Sequence, residues 1–242
     1  MQWDDYDAAL FDLDGVLTPT AEVHMRAWDR MFNDFIAERA DAGAGAVDRY
    51  TSSDYFAHVD GKPRFDGVRS FLAARGIELP EGTTDDPPDA ETVGGLGNRK
   101  NAVFAAILEE EGVAAYPASV RLLDHLAARG TAVAVVSSSR NAPVVLAAAG
   151  LADRFEVVVD GQVAASEALE GKPSPATYLH AARLLGVEAQ RSVVLEDALS
   201  GVASGRAGDF GLVVGVDRGA GRDALLDGGA DIVVAELDEL IP

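Results

Sequence analysis

The strongest constraint on the fold is a series of short apolar runs that end at acidic or hydroxyl residues. The first run, YDAALFD at 6–12, ends at Asp12 and is followed by Gly15. Such a run, closed by a carboxylate and a turn residue, is typical of a buried parallel strand. The later runs of this kind are AVAVVS (132–137), FEVVVD (155–160), SVVLED (192–197), GLVVGVD (211–217) and the shorter DIVV (231–234).

Segments of helical periodicity lie between these runs. Apolar residues repeat at helical spacing from Val120 to Ala127, at 144–149 and at 178–185, and a glycine stands shortly after each segment. Glycine just past a helix is a common C-terminal stop. Strands that alternate with helices predict an α/β fold with a doubly wound, Rossmann-like parallel sheet. Such sheets bind ligands at the carboxyl ends of their strands.

A second unit interrupts the alternation, because helical patterns dominate residues 21–115. Three expected helices carry apolar stripes, which include Trp28 and Phe35, Val68 and Leu72, and Phe104 and Leu108. The stretch 77–95, rich in Pro, Gly, Asp and Thr, is expected to be a loop. We therefore expect a core domain formed by residues 1–20 and 116–242 and an inserted α-helical cap domain at 21–115, with the site in the cleft between them.

Composition narrows the possible partners and setting. The 40 acidic residues outnumber the 20 basic ones, and a formal charge of -20 argues against nucleic acid and anionic membranes as partners. The chain has no cysteine, which excludes disulfides and thiolate metal sites and fits a reducing compartment. Its start lacks the pattern of a signal peptide, and no apolar run has membrane-spanning length. We expect a monomeric, cytoplasmic protein.

Candidate catalytic residues cluster at the ends of the expected strands. Asp12 and Asp14 flank Leu13 in an extended segment, so their carboxyl groups should point the same way. Taken singly, each candidate also has an ordinary explanation as a turn, a cap or a solvated charge. We nevertheless expect all of these candidates to lie at the same edge of one sheet. The other members of this set are Ser137, Ser138 and Ser139 after the second run, Lys172 before Pro173, and Glu196 and Asp197.

The chemistry of this set points to phosphoryl transfer. Converging carboxylates repel one another by several kcal/mol at an effective dielectric of about 20, unless a cation lies between them. Oxygen ligands without cysteine or clustered histidine suit Mg²⁺. Lys172 adds a positive charge, and serine hydroxyls can hold phosphate oxygens. The residues therefore predict a magnesium-dependent phosphoryl-transfer enzyme.

Four ordered segments resemble the motifs of the haloacid dehalogenase superfamily. They are FDLDGVLT (11–18), VVSSS (135–139), GKPSP (171–175) and VLED (194–197). The resemblance implies that Asp12 is the nucleophile and Asp14 the general acid and base. It also implies that Ser137, Ser138 and Lys172 hold the transferring phosphate. The implied ligands of Mg²⁺ are the Asp12 carboxylate, the Asp14 backbone carbonyl, Asp197 and, through water, Glu196.

Segments of the expected cap resemble the β-phosphoglucomutase-like subfamily. They are TAEVHMRAW (20–28), GKPRFDGV (61–68) and GLGNRKN (95–101). The resemblance implies a catalytic role for His24 and substrate contacts from Thr20, Arg64 and Lys100. Gly67 departs from the subfamily, which usually has a hydroxyl residue at that position, and Pro19 replaces its usual aspartate.

The implied activity is the interconversion of β-D-glucose 1-phosphate and D-glucose 6-phosphate through an aspartyl phosphate and a bisphosphate intermediate. The alternative is a sugar-phosphate phosphatase, because both enzymes form the same phosphoester and differ in whether water or a sugar hydroxyl attacks it. A dehalogenase is disfavoured, since its chemistry needs no second aspartate at residue 14. A non-catalytic sugar-phosphate sensor is a further alternative, against which Asp14 and Lys172 argue. A small-molecule sugar phosphate is the expected partner.

Overall fold

The computed structural model describes residues 1–43, 45, 47–60 and 62–242. Its strands are β1 (Ala8–Phe11), β2 (Ala132–Val136), β3 (Val157–Val159), β4 (Ser192–Glu196), β5 (Leu212–Val216) and β6 (Ile232–Val234). Its α-helices are α1 (Thr20–Asp41), α2 (Ser52–Asp54), α3 (Arg64–Ala74), α4 (Val93–Glu111), α5 (Pro117–Arg129), α6 (Ala142–Ala148), α7 (Gly161–Ser166), α8 (Ala176–Leu185), α9 (Leu199–Ala207) and α10 (Arg222–Gly228). A π-helical turn, Tyr55–Val59, continues α2.

Backbone contacts divide the chain into two compact units. One consists of Met1–Thr20 together with Val113–Pro242, and the other is Ala21–Gly112. Residues 113–115, which the sequence analysis assigned to the insertion, belong to the first unit in this division. We call the first the sheet unit and the second the helical unit.

The sheet unit contains a parallel sheet with the strand order β3-β2-β1-β4-β5-β6. The order reverses direction between β1 and β4, and ligands of such sheets bind at the carboxyl ends of the strands at this reversal. Both of these central strands are completely buried, as expected for strands covered by helices on two faces. Asp12 follows β1 directly, and Glu196 ends β4.

The predicted strands all form, although each is shorter than its apolar run. Two of the acidic residues at the ends of the runs, Asp160 and Asp217, lie just past their strands, and their side chains accept hydrogen bonds from the following backbone. Asp160 Oδ1, for example, accepts from the backbone N–H groups of Gln162 and Val163, both at 2.9 Å, and so caps α7. The predicted helical stops are also confirmed, since Gly130 and Gly186 end α5 and α8 in the left-handed conformation.

The helical unit has its own aromatic core. Phe32 lies at its centre, with ring centroids 5.2 Å from Trp28 and 4.1 Å from Phe71. All three rings lie on the apolar stripes of α1 and α3 that the sequence predicts. Each such ring buries a large apolar area, so this core stabilises the helical unit.

The expected loop at 77–95 ends earlier than predicted, because α4 begins at Val93. Thr92 caps this helix by accepting a hydrogen bond from the Gly95 N–H at 2.9 Å. Glycine is required here by close packing: a Cβ atom at Gly94 would lie 2.0 Å from the Thr83 carbonyl oxygen. Gly94 and Gly95 therefore allow close packing at the start of α4 and do not indicate an extended loop.

Candidate active site

The centre of the candidate site is Asp12, at the carboxyl end of β1. Its backbone N–H donates to the Leu195 carbonyl of β4 at 2.9 Å, and only 6% of the residue is exposed. Ser137 occupies the corresponding position after β2, where its backbone N–H donates to Val159 at 3.0 Å. The sheet thus places both residues at the same edge, as the sequence predicts. Ser138 follows and is half-buried.

Lys172 joins the ends of three strands. Its Nζ donates to Asp12 Oδ1 at 2.6 Å, to Glu196 Oε1 at 2.5 Å and to the Val136 carbonyl at 3.1 Å. The ammonium group thus uses all three of its protons. Burial lowers the pKa of Lys172, but the charges of Asp12 and Glu196 more than offset this, so the pKa lies above its ordinary range. Lys172 is therefore a fixed positive charge beside Asp12.

The carboxylates around this lysine form a group that fits a divalent cation. Asp12, Glu196 and Asp197 each offer an oxygen, and these oxygens lie within 4.8 Å of one another. An oxygen-only set of this kind suits Mg²⁺.

Two glycines leave the space that these carboxylates occupy. A Cβ atom at Gly15 would lie 1.9 Å from Asp197 Oδ2, and one at Gly201 would lie 1.9 Å from Glu196 Oε1. Any residue larger than glycine at position 15 or 201 would therefore displace the carboxylate of Asp197 or Glu196.

Asp14 is held by neighbouring hydroxyl groups. The Thr20 hydroxyl donates to Asp14 Oδ1, and the Thr18 and Thr20 hydroxyl oxygens are 2.7 Å apart. Both threonines are completely buried, whereas Asp14 is half-buried. A carboxyl group that is partly exposed and accepts a hydrogen bond from a hydroxyl group can act as a general acid or base.

The loop that carries Asp12 and Asp14 is braced through its backbone carbonyls. Arg218 Nε donates to Gly15 at 2.9 Å, and Ser119 Oγ donates to Val16 at 2.6 Å. Arg218 also lies over the Tyr116 ring, 4.1 Å from its centroid. Arg218 is not among the residues predicted from the sequence, although its position just past the fifth apolar run could have indicated it.

In the helical unit, Lys100 and His24 are in contact. Lys100 Nζ contacts His24 Nδ1, and it lies 4.9 Å from the Phe104 ring and 5.2 Å from the Trp28 ring. The His24 ring stacks on Phe104 with centroids 4.1 Å apart. Burial, and then the charge of Lys100, lowers the pKa of His24 well below its ordinary value. His24 is therefore neutral near pH 7, with Nδ1 as the acceptor.

Arg64 begins α3, and its side chain is held by Asn98. Asn98 is not among the residues predicted from the sequence. Arg64 Nη2 donates to Asn98 Oδ1 at 3.1 Å. Asn98 in turn donates to the carbonyls of Thr84 and Asp86, at 3.0 and 2.8 Å, and so ties Arg64 to the segment before α4. The segment 61–68 contains this arginine, although Gly61 lies outside the described residues.

A search of the described helices for a membrane-spanning segment found none with the necessary length and apolar character.

Known proteins resemble this chain over almost its whole length. A family model described as haloacid dehalogenase-like hydrolase matches residues 6–209. A β-phosphoglucomutase of Mycobacterium bovis is 52% identical over 240 residues, which are 97% of this chain and 91% of that protein. A β-phosphoglucomutase of Bacillus subtilis is 33% identical, with 96% of this chain and 91% of that protein covered. A crystal structure of β-phosphoglucomutase from Clostridium difficile superposes with a TM-score of 0.76 at 24% identity, covers 97% of this chain and 93% of its own, and so shows a shared fold.

Proposed function

Because the chain belongs to the haloacid dehalogenase-like hydrolase family, we propose that it interconverts β-D-glucose 1-phosphate and D-glucose 6-phosphate. The observation that carries this proposal is the 52% identity to a β-phosphoglucomutase over 97% of the chain. The contact of 2.6 Å between Lys172 and Asp12 supports the chemistry, since it holds a positive charge beside the proposed nucleophile.

The reaction begins at Asp12. One carboxylate oxygen of Asp12 attacks a phosphorus atom of the sugar bisphosphate, the bond from phosphorus to the sugar oxygen breaks, and a sugar monophosphate leaves. Asp14 gives a proton to that departing oxygen. In the return step Asp14 takes the proton from a sugar hydroxyl, which attacks the aspartyl phosphate and regenerates Asp12. Transfer to the free C6 hydroxyl of β-D-glucose 1-phosphate forms the 1,6-bisphosphate. Attack of Asp12 on the phosphate at C1 then releases D-glucose 6-phosphate and renews the aspartyl phosphate.

The remaining residues bind the substrate. Lys172, Ser137 and Ser138 hold the oxygens of the transferring phosphate. Arg64 and Lys100 would bind the non-reacting end of the sugar phosphate, and Thr20 would contact the substrate. His24 would have a catalytic role.

A magnesium ion is the proposed cofactor. Asp12 and Asp197 would hold it through carboxylates, Asp14 through its backbone carbonyl and Glu196 through water. When bound, Mg²⁺ offsets the negative charge of the carboxylates and of the phosphate. We expect Asp197→Ala to abolish the heat of Mg²⁺ binding in calorimetry while Asp238→Ala, at an exposed ion pair with Arg121, leaves it unchanged. Equal Mg²⁺ affinity in both variants would contradict the assignment.

The decisive experiment separates the mutase from the phosphatase. The protein is incubated with Mg²⁺, β-D-glucose 1-phosphate and a catalytic amount of glucose 1,6-bisphosphate, and glucose 6-phosphate and free phosphate are measured together. We expect glucose 6-phosphate to account for nearly all of the substrate consumed. Release of one phosphate for each substrate consumed would establish the phosphatase alternative.

A further inference from the structure

A tyrosine in α8, Tyr178, contacts both Lys172 and its carboxylate partner Glu196. Tyr178 is completely buried and packs within the core of the sheet unit, among residues such as Leu10 and Val136. A buried hydroxyl group costs free energy unless it forms a hydrogen bond. The Tyr178 hydroxyl donates to Glu196 Oε1 at 2.9 Å.

The carboxylate of Glu196 is fixed on both of its oxygens. Oε1 accepts from Tyr178 and from Lys172 Nζ, and Oε2 accepts from the Ala198 N–H at 3.3 Å. Glu196 is 1% exposed, so water does not compete for these bonds. The orientation of this carboxylate therefore depends on the hydroxyl of Tyr178.

The ring of Tyr178 acts on the lysine directly. Lys172 Nζ lies 5.1 Å from the ring centroid, within the range of a cation–π contact. Tyr178 thus contacts both Lys172 and Glu196. Lys172 also forms an ion pair with Asp12. A long lysine side chain has many rotamers, and small displacements of a charge-stabilising group slow catalysis strongly.

We propose that Tyr178 is a positioning residue for phosphoryl transfer, whose hydroxyl and ring hold Glu196 and Lys172 so that the ammonium group faces Asp12. This inference rests on the proposed function, since it takes Asp12 as the phosphoryl acceptor. Tyr178 does not touch the substrate; it acts through Lys172.

The test compares two tyrosine hydroxyls. In rapid-quench experiments with labelled β-glucose 1,6-bisphosphate and saturating Mg²⁺, Tyr178→Phe should form the Asp12 phosphoenzyme about 10-fold more slowly, because it loses a hydrogen bond to a charged group. The KM for the bisphosphate should stay within about twofold, since the groups that bind the substrate are intact. The control is Tyr50→Phe in the helical unit, because Tyr50 is 3% exposed and its hydroxyl has no hydrogen-bond partner within the described part of the chain. This control should react at the wild-type rate.

A second measurement follows the position of the lysine itself. The chain has three lysines, Lys62, Lys100 and Lys172, so ¹⁵N labelling of lysine yields three side-chain resonances. In Tyr178→Phe only the Lys172 resonance should move, with the other two as internal references.

The outcomes separate this inference from the proposed function. A wild-type protein that forms no phosphoenzyme overturns both. A wild-type rate in Tyr178→Phe overturns the role of Tyr178 alone. A slow rate accompanied by shifts of all three lysine resonances shows a general loss of structure, and this too overturns the positioning role.

Discussion

The two units of the molecule each bury a lysine, but they surround it differently. In the sheet unit, the Lys172 side chain is 5% exposed and donates to the carboxylates of Asp12 and Glu196. In the helical unit, Lys100 is 3% exposed and contacts the rings of Trp28 and Phe104 and the imidazole of His24. Two carboxylates thus hold the ammonium group of Lys172, whereas two aromatic faces and an imidazole are among the contacts of Lys100.

The surroundings of each lysine determine which role it is suited to. A carboxylate pair neutralises an ammonium group and fixes its position, and removal of the cation leaves buried negative charge behind. Aromatic faces attract a cation without cancelling its charge. Lys172 is therefore suited to hold the reacting groups in place, while the proposed role of Lys100 is to bind an anionic group of the substrate. The predictions below test this contrast.

The largest effect is expected at the carboxylate that Lys172 faces. Asp12→Asn should lower kcat by about 1,000-fold or more, because an amide of the same shape is a poor nucleophile. Steady-state assays with glucose 6-phosphate detection measure the loss, and circular dichroism checks that the fold is intact. A folded variant that retained more than a few per cent of the activity would contradict covalent catalysis at Asp12.

The next largest effect is expected for Lys172→Met. The variant leaves Asp12 and Glu196 buried without their cation, so the free energy of unfolding should fall by about 3–5 kcal/mol. The value of kcat/KM should fall by about 30- to 1,000-fold, as for the loss of one preorganised charge. Urea unfolding and initial-rate kinetics provide the two numbers. An unchanged kcat/KM would leave Lys172 with a purely structural role.

The matched substitution Lys100→Met should behave differently. Methionine is apolar, of similar length and able to pack against Trp28 and Phe104, but it removes the Lys100 contact to His24 Nδ1, so the free energy of unfolding should fall by about 1–3 kcal/mol. The ratio of glucose 6-phosphate to free phosphate should also fall by about 10-fold, as for one lost contact to a charged group. If Lys100→Met destabilised the protein as much as Lys172→Met, the contrast between the two lysines would be wrong.

The last prediction concerns the pH dependence of stability. The folded pKa of His24 lies below its unfolded value, so below about pH 6.5 the unfolded chain binds a proton that the folded protein does not. As pH falls, this group should therefore remove up to about 1.4 kcal/mol of stability per pH unit. The difference in unfolding free energy between wild type and His24→Gln, measured from pH 8 to pH 5, isolates this contribution. Lys100→Met should reduce the slope, because it removes one of the two causes; parallel curves for all three proteins would refute the account.

Most of the sheet unit was predictable because its signals are local. An apolar run that ends at an acidic residue identifies both the strand and the edge of the sheet at which the acidic side chain lies, as β1 and Asp12 illustrate. The residues around Lys172 could be assembled in the same way, since parallel strands share their carboxyl edge.

Residues that act through distant partners could not be found in this way. Tyr178 fits the apolar stripe of α8 and looks like an ordinary core aromatic until Glu196 is placed against its hydroxyl. Arg218 and Asn98 each donate to two backbone carbonyls, which carry no residue-specific signal in a sequence. The segment before α4 likewise depends on hydrogen bonds among Thr83, Asp86 and Thr92, whose geometry no periodicity encodes.

The space beside Gly15 and Gly201 has a consequence for protein engineering. Because the carboxylates of Asp197 and Glu196 stand where a methyl group would be, a library that varies these two positions offers no useful diversity. Arg64 and Lys100 belong to the helical unit, so their replacement leaves both glycines and the carboxylates untouched. Directed evolution toward other sugar phosphates should therefore start from the helical unit and keep the two glycines as invariant as Asp12.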